Sequence, residues 1–203
     1  IQSLQPDVIV ISGDFIDGNA TYEDTKGVCD ALGTIKTKYG IYFAYGNHDK
    51  NTYGEDIRRS FTSKQLAEML TENHVTILED EIAALPNGYS IIGRRDKSQP
   101  VRTDISELAK KADANTFQIV LDHQPNDYTA EAAAKVDLVL SGHTHGGQLI
   151  PINRVGELIG ANDRTYGYEK RDQTNFIVTS GISAWEIDFK TGCKSEYVVI
   201  DVE

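Results

Sequence analysis

Two cysteines, one methionine and one tryptophan are all that this 203-residue chain carries of those types. Cys29 and Cys193 stand far apart and form neither a CxxC pair nor a zinc-knuckle spacing, so no thiolate metal site is expected and both read as ordinary thiols of a reducing compartment. No apolar run approaches the ~20 residues that cross a bilayer, and no export leader is evident. Cations are scarce too: 20 lysines and arginines face 31 aspartates and glutamates, a formal charge of −11. Such a chain lacks the counterion-releasing contacts that hold a nucleic-acid backbone, so no nucleic-acid partner is expected, although a local basic cleft can override net charge. Most of the acids read as solvated surface, and part of the excess is available to neutralise bound cations. The first residue is Ile1 and Met69 is the sole methionine, so the chain reads as trimmed at its N-terminus. Cytoplasmic is the default compartment, with membrane association or export open if an upstream segment carried the signal. Oligomeric state is not legible.

What is present reads as one soluble domain over residues 1–203, since 39% hydrophobic and 25% charged content is that of a folded globule and no linker or repeat interrupts it. Short β-branched or apolar runs suit strands buried on both faces: Val8–Ile11, Ile41–Tyr45, Phe117–Leu121 and Val136–Leu140. Val75–Leu78, Tyr89–Ile92, Phe176–Thr179 and Glu196–Val202 are further strands, with Pro86-Asn87-Gly88 as the turn before Tyr89. Helices are expected from Tyr22 to Lys38, after a Ser63 cap, over Thr103–Lys111, and ending at Lys135. Strands alternate with helices first and dominate later, which gives an α/β domain with mixed sheets.

Four of the buried strands run straight into polar clusters: Gly13-Asp14, Gly46-Asn47-His48-Asp49, Asp122-His123 and Gly142-His143-Thr144-His145. Ligands of α/β folds sit beyond the carboxyl ends of strands. Four of the five histidines in the chain fall in these clusters. Each piece alone has an ordinary reading: GDxxD from Gly13 to Asp17 is a common turn, and a lone His123 is more often a satisfied polar side chain. Together they form a set of N and O donors without thiolate, which suits Zn, Mn or Fe.

In this order the motifs Gly13-Asp14-Phe15-Ile16-Asp17, Gly46-Asn47-His48-Asp49, His123 and Gly142-His143-Thr144-His145 resemble those of the calcineurin-like metallophosphoesterase superfamily. The extended run Gly142–Gln148 (GHTHGGQ) resembles a bacterial branch that includes membrane-associated phosphohydrolases. The resemblance implies a four-layer α/β/β/α sandwich of two mixed sheets. It also implies two divalent cations bridged by Asp14, one held by Asp14, Asn47, His123 and His143, the other by Asp14, His145 and a DxH pair. No DxH precedes Asp14, so the first strand of that fold and one ligand pair are expected to be missing from the chain as given, at a cost in stability. The chemistry implied is phosphoester hydrolysis by hydroxide generated between two cations ~3.5–4 Å apart. By the same resemblance His48 protonates the leaving group or stabilises the transition state, and Asp49 fixes its tautomer.

Other residues carry weaker signals. Asp17 is either an outer-sphere residue or a turn acceptor. Arg94 and Arg95 could hold a phosphate bidentately, or form a surface salt bridge. Trp185 could pack over a substrate, or sit in the core. Tyr53, Arg58 and Arg59 could belong to a lid, and His74 carries no expected role. The partner is a phosphorylated small molecule or a lipid-linked phosphoester. The rival readings are a crippled or non-catalytic binding fragment of such a hydrolase, and a metal-dependent amide or thioester hydrolase.

Overall fold

A computed structural model describes residues 1–51, 59–185, 187 and 189–202. Its strands are β1 (Ile9–Ser12), β2 (Ile41–Ala44), β3 (Val75–Ile77), β4 (Glu81–Leu85), β5 (Tyr89–Gly93), β6 (Phe117–Leu121), β7 (Leu138–Ser141), β8 (Gly167–Arg171) and β9 (Thr174–Val178). The helices are α1 (Tyr22–Gly33), α2 (Ser63–Glu72), α3 (Ile105–Lys111), α4 (Tyr128–Ala134) and the single turn α5 (Val155–Leu158). The first three strands form a parallel sheet in the order β1-β2-β3, and the remaining six form a sheet in the order β4-β5-β6-β7-β9-β8. The larger sheet is mixed: its four inner strands are parallel, and β4 and β8 are antiparallel edges.

Alternation along each strand builds three apolar layers. On one face of the small sheet Ile9, Ile11, Ile41, Phe43 and Val75 pack with Cys29 of α1 and Leu66, Met69 and Leu70 of α2. The opposite residues, Val10, Tyr42 and Ala44, meet Ile91, Ile119, Leu121 and Leu138 of the large sheet in a core between the sheets. On the far side of the large sheet Ile92, Val120, Val139, Phe176 and Val178 pack under Ile105 and Leu108 of α3 and Tyr128 and Ala132 of α4. The order is therefore helices, sheet, sheet, helices, as the four-layer expectation required, with the small sheet wholly parallel rather than mixed.

Several boundaries differ from the sequence reading. Helix α1 stops at Gly33, against which Asn73 packs so closely that a side chain there would collide with it. Thr62, not Ser63, caps α2: its hydroxyl accepts from Gln65 N, and the Gln65 side chain returns a bond to Thr62 N. Two strands were not expected. Strand β4 carries alanines in place of β-branched residues, and β8 is polar because it lies at a sheet edge. Residues 196–202 were read as a strand, but in the structure no strand forms there.

Candidate metal centre

Parallel pairing puts the carboxyl ends of β1 and β2 side by side, and likewise those of β6 and β7. The sheets face each other, so four loops meet at one end of the seam between them. Gly13 and Gly46 press together there: a Cβ on Gly13 would lie 2.5 Å from Gly46 N, and one on Gly46 2.5 Å from Asp14 N. Glycine is required at both positions by that approach. His48 N donates to Asp14 Oδ1 at 2.9 Å. The Asp49 carboxylate accepts from Phe15 N at 2.9 Å, Ile16 N at 3.3 Å and Gly46 N at 2.8 Å. Across the seam, His123 Nδ1 is 2.8 Å from Ser12 O; within the large sheet's own loops, Gly142 N donates to His123 O at 3.0 Å. Asp14, His143 and His145 all occupy the left-handed region, with φ of 49°, 65° and 49°. Such strain costs on the order of 1–3 kcal/mol per residue and persists where surrounding structure enforces it.

The ligating atoms of Asp14, His123 and His143 lie within 4.8 Å of one another. Asp14 Oδ2, Asn47 Oδ1 and His123 Nε2 are buried and have no hydrogen-bond partner among the described residues. Although Nε2 and Oδ2 are only 3.0 Å apart, their contact is an ion pair rather than a well-directed hydrogen bond. Orphaned polar atoms in a protein interior are uncommon and call for a missing partner. The carboxylate oxygen and two imidazole nitrogens that Asp14, His123 and His143 bring together are a donor set that suits a divalent cation.

The electrostatics agree. Burial opposes charge on His123, but the Asp14 carboxylate beside it, with Asp96 and the Ser12 carbonyl, pushes the imidazole up to about 9. Asp14 is held below its ordinary value despite burial, chiefly by His123. Burial, with His123 adding to it, drives His143 down to about 4, and burial drives His145 down to about 4. Both rings are neutral at physiological pH and offer lone pairs.

The other residues singled out in the sequence take distinct places. His48 and His145 face a cleft of about 510 Å³ that also borders Asn47 and His143. Asp49 is fully buried and spends both oxygens on backbone amides, so it braces two loops instead of fixing the His48 tautomer. Burial and the neighbouring Asp14 push its carboxyl up to about 7. Asp17 is a turn acceptor, its Oδ1 2.9 Å from Asn19 N. Arg94 is neither a phosphate clamp nor a surface ion pair. It is 2% exposed and its Nη1 reaches Asp122 and Asp127 at 2.8 Å and Glu131 at 3.3 Å, while Arg102 also pairs with Asp122. Arg95 lies at the surface beside Glu79, 3.4 Å away. Tyr53 and Arg58 lie outside the described residues.

Three residues take supporting places that the sequence did not suggest, among them Arg59, which was read as part of a lid or loop. Arg59 turns inward and donates from Nη1 to His48 O at 2.9 Å and from Nε to Phe61 O at 2.9 Å, which ties down the loop that carries Asn47. Asp96 is buried and accepts from Gln124 Nε2 at 3.0 Å. Gln148, at the end of the histidine octet, reads the Trp185 backbone with both ends of its amide: Nε2 donates to Trp185 O at 2.9 Å, and Oε1 accepts from Trp185 N at 2.8 Å. Trp185 is thereby laid against His145, ring centroids 6.1 Å apart and nearly parallel, and 6.5 Å from the ring of His48. The glycine pair before Gln148 fits the same scheme. Both residues have positive φ, and a Cβ on Gly146 would come within 2.6 Å of Ser180.

Comparison with known proteins points the same way. The chain is 30% identical over 202 residues to an uncharacterized metallophosphoesterase of Helicobacter pylori strain J99, covering 97% of this chain and 51% of that protein. It is 29% identical to the uncharacterized metallophosphoesterase YkoQ of Bacillus subtilis over 94% of this chain and 70% of the other. A transmembrane protein with metallophosphoesterase domain from Danio rerio matches at 28% over 97% of this chain and 46% of its own length. Thus the chain spans about half the length of several curated relatives. Among the described residues no helix is long and apolar enough to cross a membrane. In fold it is similar to the crystal structure of a 5'-nucleotidase precursor from Thermus thermophilus, with a TM-score of 0.50 and 16% identity over 86% of this chain and 39% of the other. The sequence pattern of the calcineurin-like phosphoesterases matches residues 1–147, the span that holds Asp14, Asn47, His123, His143 and His145, and on that match the chain belongs to the calcineurin-like phosphoesterase family.

Proposed function

We propose that the chain is a metal-dependent phosphoester hydrolase whose working centre is the convergence of Asp14, Asn47, His123 and His143. The observation that supports this most is that the ligand atoms Asp14 Oδ2, Asn47 Oδ1 and His123 Nε2 are buried without a hydrogen bond among the described residues, Oδ2 and Nε2 meeting each other only as an ion pair. The donors fit Mn, Zn or Fe. His143 completes the set, and a second cation would use Asp14 and His145 with ligands beyond these residues. When bound, such cations polarise phosphoryl oxygens and lower the pKa of water. The chain's own groups do the rest. Ser12 O fixes the Nδ1 proton of His123 and so aims Nε2 inward. Asp49 and Arg59 hold the loop that presents Asn47 and His48. His48 stands on the cleft wall, placed to donate a proton to a departing alkoxide.

The test is metal content and turnover on the same sample. Protein loaded with Mn²⁺ and desalted should retain at least one ion per chain and cleave bis(p-nitrophenyl) phosphate or p-nitrophenyl phosphate, while p-nitroacetanilide stays intact. Asn47→Ala and His143→Ala should lose metal and turnover together. One retained ion without phosphoester cleavage would make this a binding domain, and cleavage of the anilide would move it to another hydrolase class.

A further inference from the structure

Asn153, Asn162 and Thr165 border the same cleft as His143 and His145. Thr165 is 6% exposed, and its Oγ1 is buried without a hydrogen-bond partner among the described residues. The side-chain amides of Asn153 and Asn162 make no hydrogen bond among those residues either. All three are nevertheless fixed in place. Thr144, between the two histidines, donates from Oγ1 to Thr165 O at 2.6 Å, and Thr165 N donates to Glu157 Oε1 at 2.6 Å. Gly156 O accepts from Ala161 N at 2.9 Å and from Asn162 N at 3.2 Å. Asn162 lies over Gly156, where a Cβ would come within 2.5 Å of its Nδ2, and Asn153 lies against Gly147, where a Cβ would come within 2.8 Å of the asparagine Cβ. Polar groups that are held firmly, line a cleft and keep unused bonding capacity are the groups that orient a ligand there. Trp185, 44% exposed, borders the same cleft and adds apolar ring surface.

We infer that the alcohol half of the phosphoester is a sugar, with its phosphate at the metal centre, its hydroxyls bonded to Asn153, Asn162 and Thr165, and its ring carbons covered by Trp185. This rests on the hydrolase reading and names the substrate class of that site. An amide and a hydroxyl each offer both a donor and an acceptor, and so does every hydroxyl of a sugar. Three such side chains can therefore take several neighbouring hydroxyls with no charge on either side. An alcohol without hydroxyls would strip water from Thr165 and from both amides and return nothing, at a loss of about tenfold or more in affinity for each group left unpaired. The feature read is thus the hydroxyl pattern, because a site built to bond a hydroxyl rejects the analogue that lacks it.

Phosphonates, in which a methylene replaces the ester oxygen, bind without turnover. Mn²⁺-loaded protein is titrated by calorimetry with the methylene phosphonate analogues of glucose 1-phosphate, ribose 5-phosphate, adenosine 5'-phosphate and cyclohexyl phosphate. The cyclohexyl compound matches the glucose one in ring size and charge and lacks only the hydroxyls and the ring oxygen. The tighter of the two sugar phosphonates should bind at least about tenfold better than the cyclohexyl one, and it should shift the emission of Trp185, the only tryptophan. Asn153→Ala, Asn162→Ala and Thr165→Val should each bring that ratio towards one, with Mn²⁺ content unchanged. Equal affinities for the sugar and cyclohexyl phosphonates would overturn the inference, as would a ratio that none of the three folded variants moves. So would an adenosine analogue that binds over tenfold tighter than the ribose one, since a base and not a sugar would then be read. Phosphate release from the parent esters separates the two levels. Metal-dependent release from glucose 1-phosphate, ribose 5-phosphate and cyclohexyl phosphate at equal kcat/KM refutes the sugar site and keeps the hydrolase. Release from none of the esters, with the sugar preference in binding intact, refutes the hydrolase alone.

Discussion

His123 Nδ1 lies 2.8 Å from the carbonyl oxygen of Ser12, 111 positions earlier in the chain. A carbonyl only accepts, so Nδ1 carries a proton and the opposite nitrogen is left for the ion-pairing Asp14 or for a cation that replaces the second proton. One hydrogen bond thus sets the direction of a ligand on one sheet from the backbone of the other.

Replacing that ligand should cost the centre its ion. His123→Ala is expected to weaken Mn²⁺ binding by more than about a hundredfold, beyond the loss that an outer-sphere change brings, as read by calorimetry on the folded variant. Affinity within twofold of the parent chain would remove His123 from the centre.

The histidines also set a pH profile. His123 is raised from 6.5 to about 9, so its contribution to the metal-free fold is complete below pH 6.5 and disappears as pH climbs through 9. His143 and His145 are depressed from 6.5 to about 4, so their contribution is present above pH 6.5 and fades as pH falls towards 4. Melting temperature in a chelator should therefore decline between pH 6.5 and 9 as His123 loses its proton, while below pH 6.5 the raised carboxyl of Asp49 opposes the two depressed histidines, and Mn²⁺ should flatten the alkaline decline by taking the place of the His123 proton. A metal-free profile that keeps rising to pH 9 would contradict the His123–Asp14 pair.

Arg94 is predicted to matter for folding and not for chemistry. Arg94→Met leaves Asp122 and Glu131 buried without their shared cation, and breaking a buried cluster in this way costs about 3 kcal/mol or more. Urea unfolding should show that loss, with Mn²⁺ bound per folded chain unchanged. A variant of native stability would mean that the carboxylates are satisfied without the arginine.

Gln148→Ala should release Trp185. The expected signature is a red-shifted emission and greater quenching by acrylamide, at unaltered Mn²⁺ affinity, because the amide contacts the Trp185 backbone and no ligand. Gln148→Glu, which keeps one acceptor and loses the donor, should fall between the two. Unchanged emission in both variants would place the tryptophan under other control.

How much of this the sequence showed depended on how local the cause was. Strands that end at ligands were visible because parallel strands covered on both faces are largely apolar, as Ile41–Ala44 is and as Phe117–Leu121 is apart from Gln118. The polar edge strand β8 and the alanine-bearing β4 lacked that signal and were missed. The spacing of glycine and histidine at the strand ends identified the metal-ligand candidates. It could not show that Asp49 points into the protein rather than at His48, since adjacent positions suggest contact while the backbone turns them apart. Nor could it show that Asp127 and Glu131, more than thirty residues downstream, close on Arg94. Trp185 and Gln148 met for the same non-local reason.

The seam between the sheets has a mechanical side. Asp14 and Asn47 follow strands of the small sheet, His123 and His143 strands of the large one. An ion gripped by all four would be a rivet through the sandwich. Without it the two halves are held by apolar contact, which resists separation but slides, and by the bonds of His123 to Ser12 O and Asp14; with it, shear between them must also break coordination bonds. Amide exchange in β2 and β6 would then slow in concert on loading, although neither strand contains a ligand.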